Sequence, residues 1–355
     1  MSLYFIAEAG VNHNGDKELA YQLIDAAVAA GADAVKFQTF KADALASSDA
    51  PKAKYQSDNT DASESQLEML RRLELPYDWH VELRDYCQQH GIDFLSTPFD
   101  SSSLHFLVNE LGLETIKVPS GELTNGPFLL EVAQSGCQII LSTGMSTLNE
   151  VAEALGVLAF GLSESKGKPS RDTFKQALMS EDGRAALLKN VTVLHCTSAY
   201  PAPLCDANIS AIQTLRETFG LKTGFSDHTN GMIAALGAAA LGADVIEKHY
   251  TLDREFPGPD HKASLNPIEL KSLIDDIHLI ETSLGDGVKA PRPSEIETIN
   301  VARKSLVAVS TINAGDTLSV ENIGAKRPGD GISPMEYWDK LETPYPRQLS
   351  DGDKL

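Results

Sequence analysis

The sequence predicts an α/β fold, a (β/α)8 TIM barrel, followed by a small, mostly β domain. Three observations carry this. Short apolar, β-rich runs alternate with longer amphipathic runs; eight such pairs occur; and they end near residue 285 of 355. Apolar strands separated by helices imply a parallel sheet covered by helices, and eight units imply closure into a barrel. An open, doubly wound sheet is the structural alternative. It would need G-x-G-x-x-G after a strand, and the chain has none.

The strand candidates begin at Tyr4 (YFIAEA), Ala34 (AVKFQTF), Phe94 (FLSTPF), Thr115 (TIKVPS), Gln138 (QIILST), Val191 (VTVLHCT), Thr223 (TGFSD) and Asp244 (DVIEKHY). A helical pattern follows each, such as ELAYQLIDAAVAAG from Glu18 and IELKSLIDDIHLIETSLG from Ile268. Gly31, Gly91, Gly136 and Gly242 precede strands and suit helix C-caps. The barrel therefore spans residues 1–285. Residues 286–300, rich in Gly, Pro and charge, read as a linker. Residues 301–355 hold short β-like runs (KSLVAV, GDTLSVENI) and the turn-rich KRPGDGISP, which form the second domain.

Two connections are long. Residues 41–75 follow strand 2, so they belong to the C-terminal, active-site face. Residues 161–190 precede strand 6, so they belong to the opposite face and are expected to be irrelevant to catalysis.

Composition narrows the function. The formal net charge is −20. Such a surface repels nucleic-acid phosphates and anionic lipid, so neither is an expected partner. It also repels phosphorylated substrates, so an anion site must be a local concentration of Lys, Arg and backbone N–H groups. The four cysteines, Cys87, Cys137, Cys196 and Cys205, form no C-x-x-C pair and suit a reducing compartment. The N-terminus lacks a signal-peptide pattern, and the most apolar window, residues 232–243, is too short to span a bilayer. The expected location is the cytoplasm.

In a barrel, chemistry sits at the C-terminal strand ends. Strand 1 delivers Glu8 and then Asn12, His13 and Asn14. Strand 2 delivers Lys36 and Gln38; strand 3, Thr97 and Phe99; strand 4, Lys117, Ser120 and Glu122; strand 5, Ser142 and Thr143. Strand 6 delivers His195, Ser198 and Tyr200; strand 7, Ser226, Asp227 and His228; strand 8, Glu247, Lys248, His249 and Asp253. Charges beside apolar strands are costly unless paired or functional, so this recurrence marks an active site. Two lysines with several hydroxyls suit a small phosphate and carboxylate compound. His228 and His249, on adjacent strands, can share one divalent cation; imidazole suits Mn, Fe or Zn. His195 lies within an apolar run and reads as a core histidine. Ser198 and Ser226 are not in G-x-S-x-G, which argues against a serine hydrolase.

The stretches IAEAGVNHNG, AVKFQTF, STPFD, IKVPSGE, LSTGM, LHCTSAYP, GFSDHTNG and EKHYTLD, with PGPDHKAS after it, resemble the sialic acid synthase (N-acetylneuraminate synthase) family, which includes legionaminic and pseudaminic acid synthases. KRPGDGISP resembles the signature of that family's antifreeze-like (SAF) domain. The likeness runs in order from Phe5 to about Pro334 and is weak over residues 335–355. It implies a metal-dependent transferase that condenses phosphoenolpyruvate with an open-chain amino sugar. By the resemblance, His228 and His249 are metal ligands, with Mn2+ expected and Mg2+ or Co2+ as alternatives. Lys117, Ser120, Ser142, Ser198 and Ser226 form the phosphoenolpyruvate cradle, with Lys36 at its carboxylate. Glu8, Gln38, Thr97, Phe99, Glu122, Tyr200 and Asp260 form the sugar and proton-transfer surroundings. Arg327 corresponds to an arginine inserted into the partner subunit's site, which implies a homodimer with a domain-swapped lid. Ser198 stands where some members carry Asn, and its hydroxyl can still donate a hydrogen bond.

The mechanism expected from this set is attack of phosphoenolpyruvate C3 on the sugar aldehyde, addition of water at C2 and loss of phosphate by C–O cleavage. Glu8 or Glu122 is the proton-handling carboxylate. The rival readings are a synthase acting on an aldose phosphate, which needs a second phosphate site; a metal-dependent hydrolase, which would show H-x-H near strand 1, where this chain has NHNG; and a non-enzymatic role for the small domain.

Overall fold

The computed structural model describes residues 3–47, 50–60, 64–163 and 167–355. Residues 48–49, 61–63 and 164–166, in the two long connections, lie outside the described residues. The chain divides into two compact units, Met1–Gly285 and Asp286–Leu355.

The first unit is the parallel barrel. Its strands are β1 (Tyr4–Gly10), β2 (Ala34–Thr39), β3 (Asp93–Pro98), β4 (Thr115–Val118), β5 (Gln138–Ser142), β6 (Val191–Cys196), β7 (Lys222–Asp227) and β8 (Val245–His249). Each begins within one residue of its expected start. The hydrogen-bonded order is β3-β2-β1-β8-β7-β6-β5-β4, and β3 lies beside β4 to bring the ring round. The helices are α1 (Lys17–Ala30), α2 (Ala42–Leu45), α3 (Lys54–Asn59), α4 (Gln66–Leu73), α5 (Tyr77–His90), α6 (Ser101–His105), α7 (Gly126–Gln134), α8 (Leu148–Leu162), α9 (Arg171–Met179), α10 (Glu181–Asn190), α11 (Ala211–Phe219), α12 (Ile233–Ala240) and α13 (Pro267–Leu284).

Strand periodicity builds the barrel in layers. Outward residues such as Phe5, Ala7, Val35, Phe37, Phe94, Ile116, Ile139, Val193, Phe225 and Ile246 pack against the helices in the main core. Inward residues Ile6, Ala34, Leu95, Ile140, Leu194 and Val245 make an apolar plug. The same face two residues further along these strands reads Glu8, Lys36, Thr97, Ser142, Cys196 and Glu247, all buried. The plug is therefore roofed by a polar layer. Gly224 is required on the inner face of β7, where a Cβ would sit 2.2 Å from the Val245 carbonyl oxygen.

The connection over residues 41–75 carries α2, α3 and α4. Met69 and Leu73 pack with Val11 and Phe40, fixing this segment over the C-terminal ends of β1 and β2. The connection over residues 161–190 carries α9 and α10. These pack on α8, with Phe174 edge-on to Phe160 at 5.3 Å, and α10 runs directly into the N-terminal end of β6.

The second unit differs from the expected mostly β module. Its sheet has two antiparallel strands, β9 (Ser305–Ala308) and β10 (Ile323–Lys326). The stretch GDTLSV lies outside them, yet it runs antiparallel to residues 342–345: Thr317 bridges Pro344, Gly315 N–H donates to the Tyr345 carbonyl at 2.7 Å and Leu318 N–H to the Thr343 carbonyl at 2.9 Å. Part of the presumed linker folds as helix α14 (Ile296–Ala302), and a last short helix is α15 (Tyr337–Lys340). Leu306, Ala308, Ile312, Leu318, Ile323, Leu349 and Leu355 form the unit's core. The physical reason is size: a unit this small buries one apolar cluster, and short, interrupted backbone pairings between residues 306–318 and 342–355 hold its chain in place of long ladders.

Because α9 packs on helix α8, outside the ring of strands, Phe174→Ala is expected to lower stability by about 2–3 kcal/mol without changing turnover. Denaturant unfolding and steady-state kinetics on the same preparation check both halves of this prediction.

Candidate active site

Above the apolar plug, four charged side chains form one buried cluster. Lys36 Nζ lies 2.5 Å from Glu8 Oε2 and 3.5 Å from Glu247 Oε2. Lys117 Nζ donates to Glu247 Oε1 at 2.9 Å, and Ser226 Oγ donates to the same oxygen at 2.8 Å. Lys36 also donates to Thr97 Oγ1 at 2.9 Å, and Gln38 Nε2 reaches Glu8 Oε1 at 3.5 Å. The lysines and carboxylates come from β1, β2, β4 and β8, so four strands must hold register for the cluster to exist.

The two carboxylates are driven apart. Burial pushes Glu8 up to about 7, outweighing the attraction of Lys36, with Glu247 adding repulsion. Burial also opposes ionisation of Glu247, but Lys117 and Lys36 together hold it well below the usual carboxylate range. Lys36 is raised above its ordinary value because Glu247 and Glu8 outweigh its own burial. Near neutral pH the cluster therefore combines an ionised Glu247 with a Glu8 that exchanges its proton.

Around this cluster lies a cavity of about 380 Å³. Glu8, Lys36, Gln38, Thr97, Phe99, Lys117, Ser120, Ser142, Ser198, Tyr200, Ser226, His228, His249 and Asp260 all line it, so the sequence-predicted residues of the barrel converge with one exception. Glu122 is not among the lining residues. It sits in the short 3-10 turn Ser120–Glu122, where its carboxylate accepts from Asn125 Nδ2 at 2.6 Å. The turn that presents Ser120 to the cavity carries Glu122 to its outer side.

One wall is built from hydroxyls and a backbone amide. Ser120 Oγ accepts the Gly144 N–H at 3.0 Å and touches Cys196 Sγ at 3.0 Å. A Cβ on Gly144 would fall 2.2 Å from Ser198 Oγ and 2.9 Å from both Cys196 Sγ and Ser120 Oγ, so only glycine lets the chain approach this closely. Ser142 Oγ is buried and has no partner. A buried hydroxyl without a partner fits a ligand oxygen. The 41–75 connection contributes Leu45, Met69, Leu70 and Leu73 to the lining, together with the amides of Gln56 and Gln66, and Phe40 and Phe99 stand edge to face at 6.1 Å.

The two histidines stand at the cavity edge with ring centroids 5.6 Å apart. His228 Nδ1 donates to the Thr197 carbonyl at 2.8 Å, so Nε2 carries the lone pair, with Ser226 Oγ 3.3 Å from it. Tyr200 packs on His228 at 4.1 Å. Burial lowers His228 to about 4 despite the Thr197 carbonyl, and lowers His249 well below its ordinary value, helped by His228 and Lys36. Both rings are therefore neutral, the form that ligates metal. His249 Nδ1 is buried without a partner. Two rings held at about 2.1 Å from one ion have centroids roughly 4.5–6.5 Å apart, so the spacing fits a shared cation. Among the described residues no group of three or more His, Cys, Asp and Glu side chains is placed to hold an ion.

Other sequence candidates take structural places. Asn12 Nδ2 donates to the Tyr250 carbonyl and to Ser264 Oγ, and Asn14 meets His261 at 3.2 Å, so NHNG builds a loop rather than a site. His195 bonds the Ala207 carbonyl at 2.9 Å, outside the cavity, as expected of a core histidine. Asp260 lies in the β8–α13 connection, where burial alone raises it to about 6. Arg327 belongs to the second unit; its side chain is exposed and Nε donates to the Ala302 carbonyl at 3.0 Å. Glu247, the centre of the charge cluster, was seen at its strand end but not chosen. Its position two residues before His249, on the same strand face, is the signal that identifies it. Met145 was also missed: it lines the cavity in the left-handed conformation (φ 64°), which non-glycine residues rarely adopt.

These features define a barrel whose mouth holds a mixed polar and apolar pocket above a buried charge cluster. The chain belongs to the NeuB family, whose sequence profile matches residues 23–289. It is 48% identical to the N,N'-diacetyllegionaminic acid synthase of Campylobacter jejuni, over 94% of this chain and 92% of that protein. It is 42% identical to the protein of the same name from Legionella pneumophila, over 100% and 94%. The crystal structure of an N-acetylneuraminic acid (sialic acid) synthetase from Leptospira borgpetersenii, in complex with citrate, superposes with a TM-score of 0.68 at 33% identity, over 84% of this chain and 90% of that one. The resemblance read from the motifs is thereby borne out, and the chain is an enzyme of the synthase type. No helix among the described residues is long and apolar enough to cross a membrane.

Lys117→Met is expected to destabilise the fold by about 3–5 kcal/mol at pH 8, because it strips Glu247 of its nearest countercharge inside the barrel. The loss shrinks in acid, where Glu247 in the variant takes up a proton. Urea unfolding of wild type and variant at pH 8 and pH 5 checks the sign.

Proposed function

We propose that this enzyme condenses phosphoenolpyruvate with an open-chain N-acetylmannosamine-type sugar, giving a nonulosonic acid and phosphate. The observation that carries the reading is the Lys36–Glu8–Glu247–Lys117 cluster facing a wall of hydroxyls and the Gly144 turn. Lys117, Ser120, Ser142, Ser198 and Ser226 hold the phosphate, and Lys36 the carboxylate. Carbon C3 attacks the aldehyde carbon. Glu8, poised near 7, gives a proton to the aldehyde oxygen and recovers one from the water that adds at C2; phosphate leaves with C–O cleavage. Glu8 rather than Glu122 takes this role because it lines the cavity and Glu122 does not. Bound between His228 and His249, a divalent cation, Mn2+ first among Mn2+, Mg2+ and Co2+, would supply a Lewis acid for the aldehyde oxygen.

Among the described lining residues the cations are Lys36 and Lys117, both paired with carboxylates, so nothing remains for a second phosphate. This favours an unphosphorylated sugar over an aldose phosphate. The apolar patch of Leu45, Met69, Leu70, Leu73 and Phe99, with the two diacetyllegionaminic acid synthases among the relatives, favours a 6-deoxy-diacetamido sugar. Its additional methyl groups cover that patch, whereas a hydroxyl there would lose its hydrogen bonds.

In the second unit, Ser305 Oγ donates to the Pro328 carbonyl, Gly331 N–H donates to Ser305 Oγ, and Gly329 N–H donates to the Asn300 carbonyl. These bonds fix the turn behind the exposed Arg327. They support reading the unit as an antifreeze-like (SAF) lid that reaches the partner's barrel in a homodimer. The four free cysteines support a cytoplasmic location.

Phosphate release with phosphoenolpyruvate and a panel of sugars tests the reading. The 6-deoxy-diacetamido sugar is expected to exceed N-acetylmannosamine in kcat/KM by about 10- to 100-fold. The reverse order overturns the sugar assignment, and no release with any amino sugar overturns the reaction. Chelator is expected to abolish turnover and Mn2+ to restore it; full activity in metal-free enzyme removes the cation from the scheme.

A further inference from the structure

The cation reading needs two imidazoles at a set separation, and the barrel's outer face carries a device that sets it. Ser226 pairs with Glu247, and Asp227 with Lys248, in the parallel β7–β8 ladder. Alternation sends Ser226 and Glu247 inward and Asp227 and Lys248 outward, between strands and helices. There the two outward side chains form an ion pair at 2.8 Å, with both completely buried. Lys248 Nζ also donates to the Thr229 carbonyl at 2.6 Å, while Asp227 Oδ1 accepts the Thr229 N–H and hydroxyl, each at 2.8 Å.

Stability alone does not account for this pair. Removing two charges from water costs more than most pairs return, and apolar residues of similar volume are often as stable or more so. An ion pair with three further hydrogen bonds supplies direction, which an apolar pair lacks. Its attachments are specific. Asp227 immediately precedes His228, Thr229 immediately follows it, and Lys248 immediately precedes His249. Lys248 thus ties the residues on both sides of His228, through the Asp227 carboxylate and the Thr229 carbonyl, to the strand that carries His249. The remaining freedom of His228 is taken up by its own carbonyl, which accepts from the Ala202 N–H at 2.8 Å, and by its Nδ1 bond to Thr197.

We propose that Asp227 and Lys248 are positioning residues, whose buried pair holds His228 and His249 at the spacing one divalent cation requires. The inference rests on the cation reading above. In the full-length enzyme, Asp227→Asn with Lys248→Met removes both charges while keeping an acceptor for Thr229. Binding of Mn2+ alone is read from the loss of the free-ion signal in electron paramagnetic resonance. Outer residues that orient metal ligands typically contribute about 10- to 100-fold to affinity, and a loss of that size is expected here, with an altered bound-ion spectrum. Phosphoenolpyruvate binding to the metal-free protein, measured by calorimetry, is expected to stay unchanged. Should the double variant not fold, Thr229→Val, which removes only the hydroxyl bond to Asp227, reads the same tether and is expected to weaken Mn2+ several-fold. Wild-type Mn2+ affinity and spectrum in a folded variant overturn the proposal alone. A wild-type enzyme that binds no Mn2+ overturns it together with the cation reading, which is then the part at fault.

Discussion

The interaction on which the site depends is the buried charge cluster of Glu8, Lys36, Glu247 and Lys117. Each member is costly to bury alone, and each is acceptable only while the other three stay in place. Their strands are not all neighbours: β1 lies between β2 and β8, while β4 lies at the far end of the hydrogen-bonded order. Lys117 can meet Glu247 only across the inside of a ring. Closure of the barrel and assembly of the site are therefore one event, and the apolar plug beneath keeps water from the lower side of the cluster.

This coupling explains how much was legible in the sequence. Period-2 alternation on eight apolar strands fixes which residues look inward, so the fold and most lining residues could be read directly. What one strand cannot show is who meets whom across the barrel. Glu247 was visible at a strand end, yet its importance comes from Lys117 and Lys36 on other strands. Glu122 stands apart from the other lining candidates for a related reason. The residues after β4 do not continue the strand but turn tightly at Ser120, and past that turn alternation no longer applies. The second unit was least legible, because residues 306–318 bond to 342–355 in ones and twos, and no single short run announces which distant partner it takes.

The 41–75 connection shows a different limit. Its position over the active-site face followed from counting strands, but its contribution followed from composition and packing. Helices α2 and α4 bring Leu45, Met69, Leu70 and Leu73 against Phe40 and Phe99, so the cavity lining has an apolar patch, with Gln56 and Gln66 from the same connection beside it. A segment without ionisable groups at the cavity can still decide which substrate fits, because the penalty for pressing an unpaired hydroxyl against such a patch falls on one sugar and not another.

The electrostatic balance of the site completes the argument. The protein as a whole is strongly acidic, and the cavity's lysines are matched by Glu8 and Glu247, with Asp260 beside them. A multiply charged anion entering such a place meets almost no net attraction from the side chains themselves. Two features compensate. Burial raises Glu8 and Asp260 toward neutrality, which unmasks positive charge on the lysines. The paired imidazoles are neutral, so a cation between them would add its full charge beside the substrate instead of replacing a proton. With Glu247 ionised and Glu8 near its midpoint at neutral pH, the carboxylates hold both lysines in register while leaving part of their positive charge uncompensated.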